Sequence, residues 1–366
     1  MLTDQTIKSS KFLLPLSFIY GLVVGVRNSM FDHKIIKSES YDIPVICVGN
    51  LAVGGTGKTP HTEFIIRMLK DRFRIAVLSR GYKRESHGFI LATNESSSND
   101  IGDEPYQMKR KFPEILVAVD GDRRRGIKNL LSLDADIRPE VILLDDAFQH
   151  RYVSPSLNIL LTDSHRIYTK DRLLPYGRLR EPKEGAARAD VVIVTKCEEE
   201  IQPIEFRIIE EEIHLAPYQK LFYSKIVYGE LEPLFNRVAK RRNLSKLDDS
   251  THIILLSGIA SPKPLLHEIE KYTRNVTSIT FPDHHNFDNH DIREIDGKIN
   301  SIDSKDKIII TTEKDAARLR NLPSLPKKWQ SIIYCLPITI GFCQGRESQF
   351  RSLILKHIET FTLKRL

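Results

Sequence analysis

The stretch IPVICVGNLAVGGTGKTPHTEFIIRMLKDRF, residues 43–73, decides the fold. Its first part is apolar and rich in β-branched residues, its middle is a glycine-rich turn, and its last part carries apolar residues at helical spacing. The order is strand, loop, helix. In a phosphate-binding loop of the pattern GxxxxGK[ST], backbone amides surround phosphate oxygens, the lysine reaches the terminal phosphates, and the last hydroxyl goes to magnesium. Gly57, Lys58 and Thr59 match the second half of that pattern, and Gly54, Gly55 and Thr56 complete a cradle of permissive backbone. Ala52 stands where the strict pattern has its first glycine, the one departure in the loop.

Working outward, short apolar runs repeatedly end in polar motifs. Residues 75–78 lead into SRGY, 115–119 into DGDRRRG, and VILLDD at 141–146 precedes LNILLTD near 157 and VVIVTK near 191. Continuous apolar runs of this length are strands buried on both faces of a parallel sheet. The pattern predicts a doubly wound, mostly parallel α/β sheet of the P-loop NTPase type, with ligands outside the carboxyl ends of its strands. After residue 218 the pattern changes to LFYSKIVYGELEPL and then to a basic polar stretch, 240–249. Two further strand-like runs, IILLSGIA and IIITTEKDA, flank the helical LLHEIEKYT and predict a second, smaller α/β lobe. The expected boundaries are an N-terminal interfacial segment at 1–38, the P-loop core at 39–220, a linker at 221–250 and the smaller lobe at 251–366.

Composition narrows the partners. A chain of 366 residues with 41% hydrophobic and 28% charged residues buries an ordinary globular core. The net charge of +7 favours an acidic partner: nucleic acid, an anionic membrane or a phosphorylated substrate. Without an arginine-rich tail or an aromatic RNA-binding signature, nucleic acid ranks last, and no obligate protein partner is evident. Cys47, Cys197, Cys335 and Cys343 form no CxxC pair and no zinc spacing. FLLPLSFIYGLVVGV, residues 12–26, is shorter than the roughly 20 residues of a spanning helix. With Lys8 and Lys11 before it and Arg27, Lys34 and Lys37 after it, the segment reads first as a helix lying in the interface of an anionic bilayer and second as a buried helix packed on the domain. The bulky Met30 and Phe31 do not fit a signal-peptide cleavage site.

A P-loop enzyme needs a carboxylate at a neighbouring strand end to orient magnesium, and VILLDD offers Asp145 and Asp146 without saying which one reaches the metal. Taken in order, VGNLAVGGTGKTP, LSRGY, GDEP, LDDAFQHR, LLPYGRLREP, ADVVIVTK, FPDHHNF and TTEKDA, spanning residues 48–316, resemble the tetraacyldisaccharide 4'-kinase family. Ala147 stands where that family usually has glycine in DDGFQH. The resemblance implies transfer of the ATP γ-phosphate to the 4' hydroxyl of an acylated glucosamine disaccharide 1-phosphate in lipid A (lipopolysaccharide) biosynthesis. It also implies a peripheral or monotopic enzyme at the cytoplasmic face of the inner membrane, which gives the apolar N-terminus a reason.

By the same resemblance, Asp103 of GDEP is the base that accepts the hydroxyl proton and His284 of FPDHHNF tunes its basicity, a dyad drawn from two lobes and assembled by cleft closure. Glu104 is placed beside the metal with Thr59 and Asp145, or is a helix N-terminal carboxylate. The segment DHHNFDNHD, 283–291, has a second reading as a transition-metal site. Arg123, Arg124, Arg125, Arg178 and Arg180 offer guanidinium forks for phosphate, or else form a solvated basic face or ion pairs with Glu181. Gln149 and His150 line the site by resemblance, and Tyr82 is either a sugar contact or a core tyrosine. The rival function is a GTPase or metallochaperone-like switch, because TKCE at 195–198 loosely matches a guanine-reading TKxD with Glu198 replacing Asp.

Overall fold

The apolar runs that end in polar motifs fold as strands, and their order in the sheet places those motifs together. A computed structural model describes residues 11–363 apart from 236, 237, 260, 284, 305, 321 and 324. The chain forms two compact units, Met1–Ile226 with Ile340–Leu366, and Val227–Thr339. The first unit contains α1 (Leu14–Asp32), β1 (Val45–Asn50), α2 (Lys58–Leu69), β2 (Ile75–Ser79), β3 (Ile90–Leu91), α3 (Ser98–Ile101) and α4 (Asp103–Lys111). It continues with β4 (Leu116–Val119), α5 (Arg123–Leu131), β5 (Val141–Asp145), β6 (Leu157–Asp163), β7 (Val191–Thr195), α6 (Pro203–Ile213) and β8 (Lys220–Tyr228). The second contains β9 (Glu232–Pro233), β10 (Thr251–Ser257), α7 (Lys263–Glu270), β11 (Val276–Thr280), α8 (Asn289–Ser301), β12 (Asp306–Thr312), α9 (Glu313–Arg320) and β13 (Ile333–Leu336). The chain then returns through β14 (Ile338–Phe342) to α10 (Glu347–Leu363) in the first unit.

The large sheet has nine strands in the order β14-β8-β7-β6-β1-β5-β2-β4-β3. From β8 to β4 every pairing is parallel, and β3 is antiparallel to β4. Every residue of β1, β2, β5 and β7 is buried, as continuous apolar runs between two helical layers require. β1 is the switch point: the chain winds to β5 and β2 on one side and to β6 and β7 on the other, so the loop after β1 opens into the crevice where such sheets bind ligands. Val48 pairs with Asp145, which puts the carboxyl end of β5 level with the start of the glycine-rich loop.

The second unit is a five-stranded sheet, β11-β10-β12-β13-β9, parallel except for β9. Alternate residues of β10 serve its two cores: Ile254 and Leu256 pack with Trp329 and Ile309, whereas Ile253 and Leu255 pack with Ile308 and Ile310.

The boundaries differ from the sequence reading in two places. Residues 221–228, expected to begin a linker, belong to strand β8, because Leu221, Phe222, Tyr223 and Ser224 are buried in the large sheet. Residues 340–363, assigned to the smaller lobe, return to the first unit, where Phe342 and Phe350 of the returning segment form an aromatic cluster with Phe64 and Phe222. Long-range packing of this kind leaves no local signature.

Helix α1 is also longer than its apolar run suggests. Its 19 residues satisfy the length and composition of a spanning helix, where the 15-residue run had fallen short. One face is nevertheless tied to the first unit: Ser17 Oγ donates to the Leu173 carbonyl (2.8 Å) and Tyr20 Oη to the Arg180 carbonyl (2.6 Å). A Cβ on Gly21 would fall 2.7 Å from Leu173 Cδ1, so the helix sits as close as glycine permits. The other face exposes Phe18 (75%), Ile19, Leu22 (60%), Val23 and Val26.

Candidate active site

β1 ends at Asn50, and the next turn of chain runs to the start of α2 at Lys58. Gly54 (φ 113°) and Gly57 (φ 83°) adopt left-handed backbone that strains any other residue, which accounts for both glycines. Ala52 does not: it forms a β-bridge with Leu179 outside the left-handed region, so a side chain is accommodated where the strict pattern has glycine. The loop is held from beneath, since Asn50 Nδ2 donates to Thr56 Oγ1 (2.8 Å) and Thr195 Oγ1 donates to the Thr56 carbonyl (2.9 Å). Residues 178–180 flank it through Val53 N to the Arg178 carbonyl and Arg180 N to the Leu51 carbonyl. Thr59 follows Lys58 in the first turn of α2, where backbone N–H groups point outward.

The two aspartates of VILLDD have different surroundings. Asp145 completes β5, is buried (4% exposed) and accepts a hydrogen bond from Thr62 Oγ1 (3.2 Å). Burial, and then the neighbouring Asp146, push its carboxyl up to about 7. Asp146 has left the strand with φ 49°. Its Oδ1 lies 3.7 Å from Lys58 Nζ and accepts from Arg180 NH1 at 2.9 Å. Burial opposes its charge, but Lys58 and Arg180 outweigh burial and hold it below the usual carboxylate range. Burial lowers the Lys58 ammonium from its usual value, with Asp146 opposing. Because Asp146 takes the left-handed position of this turn, Ala147 has no need of the glycine usual there and packs in the core.

Asp103 and Glu104 open α4 directly after Gly102, whose φ of 90° suits only glycine. Glu104 is close enough to act electrostatically on both Lys58 and Asp145. Thr59, Asp145 and Glu104 are hard oxygen donors, and a buried carboxyl raised toward 7 is one that a divalent cation would return to its charged form; this donor set fits magnesium.

The arginine run divides. Arg124 forms a fork with Asp122 and Arg125 one with Asp120, so these two are structural ion pairs. Arg123 is buried, donates from NH1 to the carbonyls of Asp120 and Gly121, and feels both Asp145 and Asp146. Burial, and then Arg80, push its guanidinium down to about 10, and its Nε has no hydrogen-bond partner among the described residues. Gln149 bridges: its Nε2 donates to the Asn50 carbonyl (2.7 Å) and Glu181 Oε1 (3.0 Å), and its Oε1 accepts from Arg180. His150 is pushed down to about 4 by burial and by Arg123, so its ring is neutral at pH 7. Tyr82 is exposed on the loop after β2, beside a depression lined by Arg80, Arg84 and Arg125, and is not a core tyrosine.

Glu181 is the residue that sequence reasoning undervalued. It is 1% exposed and pairs with Arg188, not with Arg178 or Arg180, while Gln149 and Asn28 also donate to it. Its place inside GRLREP was the available signal. In the TKCE segment, Lys196 is paired with Asp163 (2.7 Å) and Glu198 is exposed. His284 lies outside the described residues. Nearby in the second unit, Asp288 and Asp291 form the capping box of α8 and His285 Nε2 lies 2.6 Å from Asp291, so carboxylates of the alternative metal cluster at Asp288, His290 and Asp291 already serve a helix end.

A model of the tetraacyldisaccharide-1-P 4'-kinase family (LpxK) matches residues 9–359. The chain belongs to this family. It is 67% identical over 360 residues to the tetraacyldisaccharide 4'-kinase of Parabacteroides distasonis, with 98% of each chain covered. It is 48% identical to that of Bacteroides thetaiotaomicron, covering 98% of this chain and 96% of the other. Among solved structures, the "apo" form of LpxK from Aquifex aeolicus in complex with ATP superposes with a TM-score of 0.71 at 27% identity, over 95% of this chain and 99% of that one. Like the rest of the family, the chain is a kinase that transfers phosphate to a hydroxyl. The P-loop α/β architecture read from residues 43–73 is the architecture of the family.

Proposed function

We propose that this chain transfers the γ-phosphate of ATP to the 4' hydroxyl of a tetraacylated glucosamine disaccharide 1-phosphate in lipid A biosynthesis, working at the cytoplasmic surface of the inner membrane. One observation carries the reading: a glycine-rich loop, Lys58, Asp146 and Arg180 are linked at the carboxyl end of one parallel sheet, with the buried Asp145 beside them. In this reading the amides of Gly54, Gly55, Thr56 and Gly57 surround the phosphates, and Lys58 lies against the terminal pair. Asp146 holds Lys58 and Arg180 in register, so that two cations face the transferring group. Thr59, Asp145 and Glu104 are the residues that would hold Mg²⁺. When bound, the ion neutralises charge on the β- and γ-phosphate oxygens.

Asp103 accepts the proton of the sugar hydroxyl, and His284 tunes its basicity. On the acceptor side, Arg123 and Arg180 offer charge, Gln149 and the neutral His150 offer hydrogen bonds, and Tyr82 offers an exposed ring. The exposed apolar face of α1, followed by Lys34 and Lys37, suits a helix lying in an anionic bilayer surface, and the polar bonds from Ser17 and Tyr20 to the first unit favour that posture over spanning.

Incubation with ATP and the lipid disaccharide, followed by mass and NMR analysis of the product, tests the reading. The expected product carries one new phosphate at the 4' position. A product phosphorylated elsewhere, or hydrolysis of ATP without transfer, refutes it.

A further inference from the structure

The inward face of α1 reaches the segment that carries the acceptor-side residues, and it does so at several points along the helix. Tyr20 Oη donates to the Arg180 carbonyl at 2.6 Å, and Asn28 Nδ2 donates to Glu181 Oε2 at 3.0 Å. Arg27 NH2 donates to the Gln149 carbonyl at 3.2 Å, and Ser17 Oγ fixes the Leu173 carbonyl just upstream. Ser17, Tyr20, Gly21, Asn28 and Phe31, at successive spacings of three, one, seven and three residues, fall on one stripe of a helix. The opposite stripe is Phe18, Ile19, Leu22, Val23 and Val26, all exposed. The same helix therefore has one face for solvent or lipid and one face bonded to the neighbours of Asp146.

The linkage is direct. Arg180 is the residue whose NH1 holds Asp146 at 2.9 Å, and Asp146 in turn faces Lys58 of the phosphate loop. Gln149 and Glu181, which α1 also reaches, hydrogen-bond each other, and Gln149 also accepts from Arg180. Shifting α1 thus shifts the carbonyl of Arg180 and the carboxylate of Glu181 together. A guanidinium displaced by about 1 Å from its working place is enough to lower turnover substantially.

We infer that Tyr20 and Asn28 are positioning residues of the phosphoryl transfer, holding Arg180 against Asp146 through the segment 180–181, so that seating the apolar face of α1 in the membrane surface orders the acceptor side of the site. This rests on the ATP-dependent kinase reading above. The hydroxyl of Tyr20 and the amide of Asn28 are the atoms that act; the apolar stripe supplies the membrane attachment and is chemically separate from them. Vesicle binding and site ordering are therefore separable by mutation.

The experiment uses the full chain, γ-labelled ATP and the acylated disaccharide acceptor in vesicles of phosphatidylcholine and phosphatidylglycerol. Tyr20→Phe combined with Asn28→Ala is expected to lower kcat about tenfold, with KM for ATP and vesicle affinity changed by less than about twofold. Combined with Arg180→Ala, the pair is expected to add little, because Tyr20 and Asn28 act through Arg180. Thermal midpoints and ATP binding report that each variant is folded. Unchanged kcat, a loss of rate that follows a loss of vesicle affinity, or effects that multiply with Arg180→Ala would each overturn the inference. Failure of the wild-type protein to transfer phosphate would instead remove the kinase reading itself.

Discussion

Both units of this protein are parallel α/β sheets, and both end a central strand in a threonine- or aspartate-containing motif, but the two motifs settle their charges in opposite ways. In the second unit, Asp315 of TTEKDA is fully buried and locally satisfied: it accepts from Gly258 N (2.9 Å), Thr312 Oγ1 (2.8 Å) and Arg318 NH1 (3.2 Å). Its work is to bind β10, β12 and α9 together. In the first unit, Asp145 accepts from one threonine and is pushed up toward 7, while Asp146 is held by two cations that belong to other segments. A carboxylate whose partners are local stabilises a fold; one whose partners are the lysine of a glycine-rich loop and an arginine of a distant segment marks a candidate functional site.

The sharpest way to break this contrast is to neutralise each acid. Asp146→Asn removes the anion shared by Lys58 and Arg180 and is expected to lower kcat by roughly 10²–10³-fold, measured with saturating ATP, because both cations lose their register toward the transferring phosphate. Asp315→Ala removes a buried carboxylate partner of the nearly buried Arg318 and of Gly258 N, and is expected to cost about 3 kcal/mol of stability in denaturant titrations, with near-normal kcat in the folded fraction. If Asp315→Ala lowered kcat without lowering stability, the contrast between the two sheets would be lost.

Smaller effects sharpen the assignment within the pair. Asp145→Asn is expected to raise the Mg²⁺ concentration needed for half-maximal rate about tenfold or more, whereas Asp146→Asn mainly changes the rate at saturating Mg²⁺; a magnesium titration of both variants separates them. The phosphate loop also carries a pH-dependent prop. His61 Nδ1 lies 2.7 Å from the Gly57 carbonyl and Nε2 lies 2.9 Å from Ser224 Oγ, and burial pushes the ring from 6.5 down to about 4. The folded pKa is below the unfolded one, so the unfolded chain binds more protons between these values. The stability contributed by the neutral ring is complete above about 6.5 and is lost as pH falls toward 4. His61→Gln is expected to flatten the fall in the thermal midpoint across that window, and an equally steep fall in the variant would assign it to other groups.

The legible parts of this molecule are those whose cause is local. Glycine at 54 and 57 is required by φ, apolar continuity at 45–50 and 141–145 by burial on both faces, and the lysine and threonine that follow by the start of a helix. What stayed hidden depends on distant partners. Nothing in RRR says that Arg124 and Arg125 turn to Asp122 and Asp120 while Arg123 stays under the site. Nothing in DD says that the second aspartate leaves the strand and gathers Lys58 and Arg180. Glu181 looked like a surface partner for neighbouring arginines and is instead a buried hub contacted by Gln149, Arg188 and Asn28. The return of residues 340–363 to the first unit rests on aromatic contacts more than a hundred residues away in sequence, beyond the reach of periodicity.

The central claim is that the Lys58, Asp146 and Arg180 constellation serves phosphoryl transfer from ATP to a lipid disaccharide. The direct measurement is transfer of label from γ-labelled ATP, and in parallel from γ-labelled GTP, to the acylated disaccharide 1-phosphate by wild-type protein and by Lys58→Ala. The account predicts label in the lipid with ATP, much less with GTP, and a loss of roughly 10²–10³-fold in Lys58→Ala. Label released only as free phosphate, or transfer that survives Lys58→Ala unchanged, would contradict it.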